Sequence, residues 1–407
     1  MIAIEEAQQI VLSRTRFMPM EDVPLLQAAG RVIAENVHAP WDIPMTDNSA
    51  MDGYAFSSTT SVREQWVVAG FIPAGSEQTT LVAPGEAVKI MTGAPIPPGC
   101  DTVAPIEEVE QTTNGIRLVA KVTSGAHIRR RGEDVRANDL VVASGSVLRP
   151  QEIGLMVSLG RTEVKVYRKV RVAILATGDE LLDAGSIPVS GRIINSNSYS
   201  LAAQVLEVGG EPILIGVAAD SGEATREKIL EGLHADILIT TGGVSVGDRD
   251  FVKESIQALS GELLFWKVNM KPGKPVAFAI LEEKPVFALP GNPVAAMVAF
   301  EMFVRPAMLK MMGHTRIFRP VVRANLLEEM KNGGGRPHLV RMQVTLKHGV
   351  YMATSTGNQS SANLTSLTQC NGLMKLDANT TITSGSSAEI TLLDRGFEMG
   401  ETAYGTS

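Results

Sequence analysis

The sequence predicts a multi-domain α/β plus β protein, with a parallel-sheet domain late in the chain, a helical and all-β region before it and a small β domain after it. Three observations carry this prediction. At 407 residues the chain exceeds one compact core and, at roughly 150 residues per domain, fits two or three. Between Val170 and Met312 apolar runs alternate with amphipathic segments in βαβα order, and the runs are the continuous Val, Ile and Leu of strands buried on both faces. Outside that region the β-branched runs are short and punctuated by Gly and Pro, as in small β domains.

Taken in order, Ile4, Ala7, Ile10 and Val11 recur at helical spacing and open the chain with a helix, which Pro19 and Pro24 end. From about 39 to 149 runs such as "WVVAG", "EAVKIM" and "GIRLVAKV" read as an all-β insertion within an N-terminal region of residues 1–169. "RPQEIGLMVSLG" returns to helical spacing and closes at Gly160. Residues 170–315 form the α/β domain, where "KPVAFAIL" and "KPVFALP" read as an antiparallel hairpin turned at Glu282 and Glu283. After Pro320, "RPVVRANL", "VRMQVTL" and "AEITLL" give a closing β domain over 320–400.

Composition narrows the functional classes. Hydrophobic residues at 44% and charged residues at 20% are those of an ordinary globular protein, and a net charge of −7 argues against a general nucleic-acid binder. Cys100 and Cys370 sit in no CxxC pair, so a reducing cytoplasm is the natural compartment. "MIAIEEAQQI" lacks a basic n-region, and Glu301 breaks the most apolar late run, so neither export nor membrane insertion is expected. The six histidines show no ligand spacing and no serine sits in a GxSxG elbow, which sets aside triad hydrolysis.

In an open parallel sheet, ligands gather beyond the carboxyl ends of the strands, where helix N-termini present free N–H groups. "TGDE", Asp220, "TTGGVSVGDRD" and "LPGNP" all fall at that edge. Glycine turns there allow an oxyanion close to the backbone, while Asp179, Glu180, Asp220, Asp248 and Asp250 offer the hard oxygens that magnesium prefers. Taken alone, "TTGGVSVGDRD" reads equally as a strand-to-helix turn or a phosphate cradle, and one of Asp248 and Asp250 is better read as a helix cap. "KPGKP" places Lys271 and Lys274 around a stiff turn, an arrangement that favours a small anion between them. In the β insertion, "TDNSAMDGYA", "KIMTGAPIPPG" and "HIRRRGEDV" concentrate polar groups, each of which has an ordinary reading as a turn or a solvated charge run.

As an ordered set, "DNSAMDGYA", "IMTGAP", "RRRGEDV", "TGDEL", "TTGGVSVGDRDF", "KPGKP" and "LPGNPV" closely resemble the molybdopterin molybdenumtransferases, the MoeA family related to the gephyrin E domain. The resemblance spans the whole chain. It implies insertion of molybdenum into molybdopterin, in which adenylylated molybdopterin and molybdate give molybdenum cofactor and AMP with magnesium or another divalent cation. It also implies an elongated homodimer in which Asp52, Thr92 and Asp134 of one subunit complete the cleft of the other, and a possible handover from the preceding adenylyltransferase. Glu180, Asp220 and Asp250 belong to the implied acidic, metal-holding set, with Gly242, Gly243 and Ser245 as the phosphate cradle. Lys271, Lys274, Pro290 and Pro293 form the implied facing wall, and the lysines are the candidates for molybdate; Arg341 with Ser360 or Ser361 falls where the family contacts anions.

Two positions depart from the family pattern. Ser221 replaces a second acid after Asp220, and Leu339 stands where an aromatic is common. Two alternatives accompany the enzyme reading: a molybdopterin-binding scaffold without turnover, and a resemblance confined to the sheet domain. Matches in the β insertion oppose the second.

Overall fold

In the computed structural model, which describes residues 1–59, 65–77, 81–243, 251–394 and 396, the later part of the chain is organised by a six-stranded sheet. Its strands are β1 (Arg171–Thr177), β2 (Glu211–Ala218), β3 (Ile237–Thr241), β4 (Glu262–Trp266), β5 (Ala277–Leu281) and β6 (Lys284–Leu289), in the order β2-β1-β3-β6-β5-β4. The first four in that order run parallel, and β5 and β4 close the sheet antiparallel. The β5–β6 hairpin turns on two residues of positive φ, Glu282 at 47° and Glu283 at 64°, the left-handed pair that matches strand twist. The edge strand β4 was not anticipated from "GELLFW", which reads as a tail to the preceding helix.

Alternation along each strand builds two cores. Val172 and Ile174 join Ile237, Ile239, Phe278, Phe287 and Leu289 on one face, while Ala173 and Leu175 join Leu238, Val286 and Ala288 on the other. Helix α1 (Ser196–Glu207) covers the first face through Leu201 and Val205; α2 (Gly222–Gly232) and α3 (Phe251–Ala258) cover the second through Ile229, Val252 and Ile256. The opening helix Ile4–Ser13 buries Ile4, Ala7 and Val11 in the first core, against the run of helix from Pro293 to Met311.

A closed five-stranded barrel follows, with Val321–Leu326, Val350–Ser355, His338–Lys347, Gly372–Leu376 and Ser387–Leu392 in that order around it. Val340, Met342, Val344, Met374 and Ile390 fill its interior, whereas Leu339 and Leu373 point outward into the first core of the α/β body. Those two leucines weld barrel and α/β body into one hydrophobic unit, which also includes Met1–Val23 and Gln27–Ala34.

The second compact unit comprises Pro24–Leu26 and Glu35–Val164. Its main sheet runs Thr102–Pro105, Gly53–Phe56, Glu86–Ile90, Gln65–Ile72, Gly115–Leu118 and Val109–Thr112. Ala55, Val88, Ile90 and Val103 pack on one face; Tyr54, Phe56, Trp66 and Ala104 pack on the other, with the Phe56 and Trp66 rings 4.3 Å apart. Among the described residues no helix is long and apolar enough to cross a membrane.

Gly53 permits the closest approach in this sheet, because a Cβ there would lie 1.9 Å from the Ala104 carbonyl oxygen. Gly53→Ala is therefore expected to cost more than about 4 kcal/mol. Gly154→Ala, in the helix Pro150–Ser158 with nothing within 4 Å of the new methyl, should instead stabilise by about 0.5–1 kcal/mol. Chemical denaturation of the two variants measures both shifts.

Candidate active site

The strands β1, β3 and β6 end on one line because Ala176 pairs with Thr241 and Thr241 with Leu289. The loops that leave them meet around a cleft of about 740 Å³, lined among others by Thr177, Glu180, Asn197, Asp220, Gly242 and Pro290. Glycines are required at this meeting point. A Cβ on Gly242, whose φ is 91°, would sit 2.6 Å from the Thr177 carbonyl oxygen, and one on Gly291 would lie 3.5 Å from the Gly242 Cα. Gly243 has φ 67° and crowds the Thr177 hydroxyl in the same way. Steric demand alone thus accounts for two glycines, and their presence on the cleft wall leaves their amides beside any ligand. Ser245, Asp248 and Asp250 lie outside the described residues.

Asn195 and Asn197 enter the site from the start of α1. Asn195 caps that helix, accepting from the Ser198 amide at 3.2 Å. Asn197 does more than cap, since its Nδ2 donates to Thr241 Oγ1 at 2.9 Å and to the Gly291 carbonyl at 2.8 Å, tying α1 to two of the three strand-end loops. Thr241 Oγ1 in turn donates to the Pro290 carbonyl at 3.1 Å. Sequence reasoning passed over these residues; the only signal was the polar run "NSNS" between a strand and a helix.

Of the acids, Glu180 is exposed and folds back over Gly178, where an added Cβ would meet its carboxylate at 2.3 Å. Asp220 is half-buried on the cleft wall and its amide donates to Asp179 Oδ1 at 3.0 Å, so Asp179 holds the loop that presents it. Ser221 caps α2 by accepting from the Ala224 amide at 3.2 Å. The serine that replaces a family acid therefore has a local structural use. Among the described residues no three His, Cys, Asp or Glu side chains converge closely enough to hold a metal.

The "KPGKP" turn is stapled to the barrel. The Lys271 amide donates to the Pro337 carbonyl at 2.9 Å, and the Leu339 amide donates to the Lys271 carbonyl at 2.7 Å, which makes Lys271 the register partner of His338. Lys271 is exposed, Lys274 half-buried, and Pro275 of the same turn lines the cleft. From the barrel, Ser361 reaches the "LPGNP" loop: its hydroxyl accepts from Asn292 Nδ2 at 2.9 Å and its carbonyl from the Val294 amide at 3.1 Å. Pro290 and Pro293 both line the cleft beside that contact.

Arg341 is fully buried. Its Nη2 donates to the carbonyls of Asn358 and Ser360, both at 3.2 Å, but its Nε and Nη1 have no hydrogen-bond partner and no carboxylate bridges it among the described residues. Burial depresses its basicity, yet a guanidinium starts so high that it remains charged. His338 is also buried, with Nε2 unpartnered; burial, then the charges of Lys271 and Arg341, push its pKa down to about 4.

In the other unit, the structure brings together the residues that the sequence could only suspect singly. Gly53 pairs with Ile90, so Asp52 and Thr92 leave adjacent strand ends side by side. Asp52 Oδ1 accepts from the Thr92 amide and hydroxyl, each at 2.7 Å. The Thr92 amide and then its hydroxyl hold the Asp52 carboxyl below the usual range, with Lys89 adding to the effect. Arg130 and the Arg131 amide bind the Asp47 carboxylate at 2.7 and 2.8 Å, and the Asp134 amide donates to the Ile43 carbonyl at 3.1 Å. The arginine run is thus largely occupied in fastening its own loop, while Asp134 remains exposed near it.

A sheet whose strand-end loops enclose such a cleft defines a ligand-binding α/β class, and residues 173–310 match the family model described as a probable molybdopterin binding domain. Residues 2–160 match the MoeA N-terminal region (domain I and II), and 323–393 the MoeA C-terminal region (domain IV). A molybdopterin molybdenumtransferase of Staphylococcus aureus (strain COL) is 32% identical over 408 residues, covering 98% of this chain and 94% of that protein. One from Nostoc sp. (strain PCC 7120 / SAG 25.82 / UTEX 2576) is 36% identical over 384 residues, covering 91% and 88%. The crystal structure of the molybdopterin biosynthesis moeA protein from Pyrococcus horikoshii OT3 superposes with a TM-score of 0.81 at 30% identity, over 96% of this chain and 100% of that one. The chain belongs to the MoeA family.

The depressed His338 pKa has a defined sign. The unfolded chain, with an ordinary value of 6.5, binds the proton more readily than the folded one, so stability is complete above pH 6.5 and falls as pH drops toward 4. His338→Gln is expected to flatten the denaturation midpoint over that window, by up to about 3 kcal/mol at its acid end. Chemical denaturation at a series of pH values checks it.

Proposed function

We propose that this protein is a molybdopterin molybdenumtransferase, which takes adenylylated molybdopterin and molybdate and releases molybdenum cofactor and AMP. The observation that carries this reading is Arg341, a buried guanidinium with two unpartnered nitrogens in the barrel that clamps the cleft loop. A permanent charge left so incompletely paired is costly unless an anion completes it. Lys271, on the strand register beside His338, and Lys274 in the same turn supply further positive charge for a small dianion.

Within this reading, the amides of Gly242 and Gly243, with Ser245, receive the phosphates at the strand ends. Glu180, Asp220 and Asp250 are the hard-oxygen donors that would hold magnesium, and the first two stand on the cleft wall, a donor type that suits that ion. The bound ion would supply charge compensation at the phosphoanhydride as AMP leaves. Lys271, Lys274, Arg341 and Ser360 or Ser361 hold and orient molybdate toward the pterin dithiolene, while Pro290 and Pro293 shape the wall. Asp52, Thr92 and Asp134 complete the cleft of a partner copy in a homodimer, with the Asp52 carboxylate kept ionised by its Thr92 hydrogen bonds. Positioning and fixed charge account for the catalysis, in a cytoplasmic enzyme that receives its substrate from an adenylyltransferase.

The test is molybdate-dependent AMP release from adenylylated molybdopterin. The double variant Lys271→Ala, Lys274→Ala should retain the adenylylated pterin and lose AMP release at least about 100-fold, as for the loss of two charged contacts. Unchanged release would remove the lysines from the molybdate site. Glu180→Ala should bind pterin and fail to turn over; a wild-type protein that binds pterin without releasing AMP would instead be a scaffold.

A further inference from the structure

Asn197 is 9% exposed and lines the cleft, and its amide orientation is fixed. Both Nδ2 hydrogens are spent, one on Thr241 Oγ1 and one on the Gly291 carbonyl. Turning the amide over would set its oxygen against the Gly291 carbonyl, two acceptors with no proton between them. Oδ1 is therefore held as an acceptor, and it has no partner. Thr241 cannot relieve it, because its own hydroxyl proton goes to the Pro290 carbonyl. A buried acceptor kept unpaired by three hydrogen bonds is a costly arrangement for a merely structural asparagine, since one rotated partner would satisfy it.

We infer that Asn197 Oδ1 is a specificity contact that accepts an N–H from an amino-substituted heteroaromatic ring bound in the cleft. The inference rests on the function proposed above, whose substrate carries two such rings, the pterin and the adenine, and each presents N–H donors along its edge. Phosphate and molybdate offer no comparable donor, so the contact reads the ring and not the anion. Thr241, which touches Asn197 but not the ligand, is a positioning residue. Its partners Pro290 and Gly291 place the contact on the same loop that the barrel grips through Asn292 and Ser361.

The experiment compares the wild type with Asn197→Ala and Thr241→Val, titrating each anaerobically with molybdopterin and separately with AMP and molybdate, and recording thermal denaturation. Both substitutions break the same internal network and should lower the denaturation temperature by similar amounts. Only Asn197→Ala should weaken one ring ligand, about tenfold, leaving molybdate unchanged. Loss confined to molybdopterin assigns the contact to the pterin; loss confined to AMP assigns it to the adenine. Equal loss in Thr241→Val, or full retention of both ring ligands by Asn197→Ala, would overturn the inference while leaving the proposed function intact. A wild type that binds neither ring ligand would overturn both.

Discussion

The register line through Ala176, Thr241 and Leu289 is the constraint on which the cleft depends. Three parallel strands that stop together force their following loops to share one small volume, and only residues without side chains can occupy its centre. Gly242 and Gly291 meet there backbone to backbone, with Gly242 also pressed on the Thr177 carbonyl. A shift of one residue in any of the three strands would exchange buried for solvent-facing side chains across both cores, so the hydrophobic alternation of β1, β3 and β6 is what keeps the loops aligned. Packing and site geometry are one problem in this domain, solved by the same residues.

The polar groups divide by whether their hydrogen bonds are complete. In the unit holding Asp52, most of the charged groups of the motif loops are paired: Asp47 with Arg130 and the Arg131 amide, Asp42 with Arg131 and the Ala137 amide, Asp52 with Thr92. Around the α/β cleft and the barrel, Thr177 Oγ1, Asn197 Oδ1, His338 Nε2 and two nitrogens of Arg341 are buried without partners. Each such atom costs on the order of 1–3 kcal/mol, and a chain folded for stability alone would not collect them near one cleft. Their concentration marks where binding energy is recovered.

The fold was legible because hydrophobic period and chain order are local properties. Val172 to Leu175 and Ile237 to Ile239 show themselves as strands buried on both faces, and the Glu282–Glu283 hairpin is bounded by two apolar runs. The edge strand Glu262–Trp266 was less so, since a short run after a helix carries no period of its own. For the site, the motif strings located the loops but not their cross-connections. Asp52 and Thr92 each read as turn residues until the pairing of Gly53 with Ile90 put them together. Asn197 reads as helix-start chemistry, and its bond to Gly291 depends on a loop far along the chain. Nothing in "RPHLVRMQ" announces that Arg341 is fully buried, because arginine is ordinarily a surface residue.

Burial separates the basic groups into different tasks. Lys271 is exposed and Lys274 half-buried, so their charges are partly screened and reach outward, which suits capture of an anion from solvent. Arg341 is shut away from water, where its charge is felt strongly and where a lysine would tend to lose its proton. His338 stays neutral in the field of both, since a third cation beside Lys271 and Arg341 would add repulsion without a counterion. An anion arriving at this turn changes that balance in its own favour, since it pairs the guanidinium and lessens the repulsion between the remaining groups. The barrel bears the cost of that charge through the packing of Leu339 and Leu373 into the α/β core, and so the hydrophobic weld between the two is what keeps an unpaired cation at the edge of the sheet.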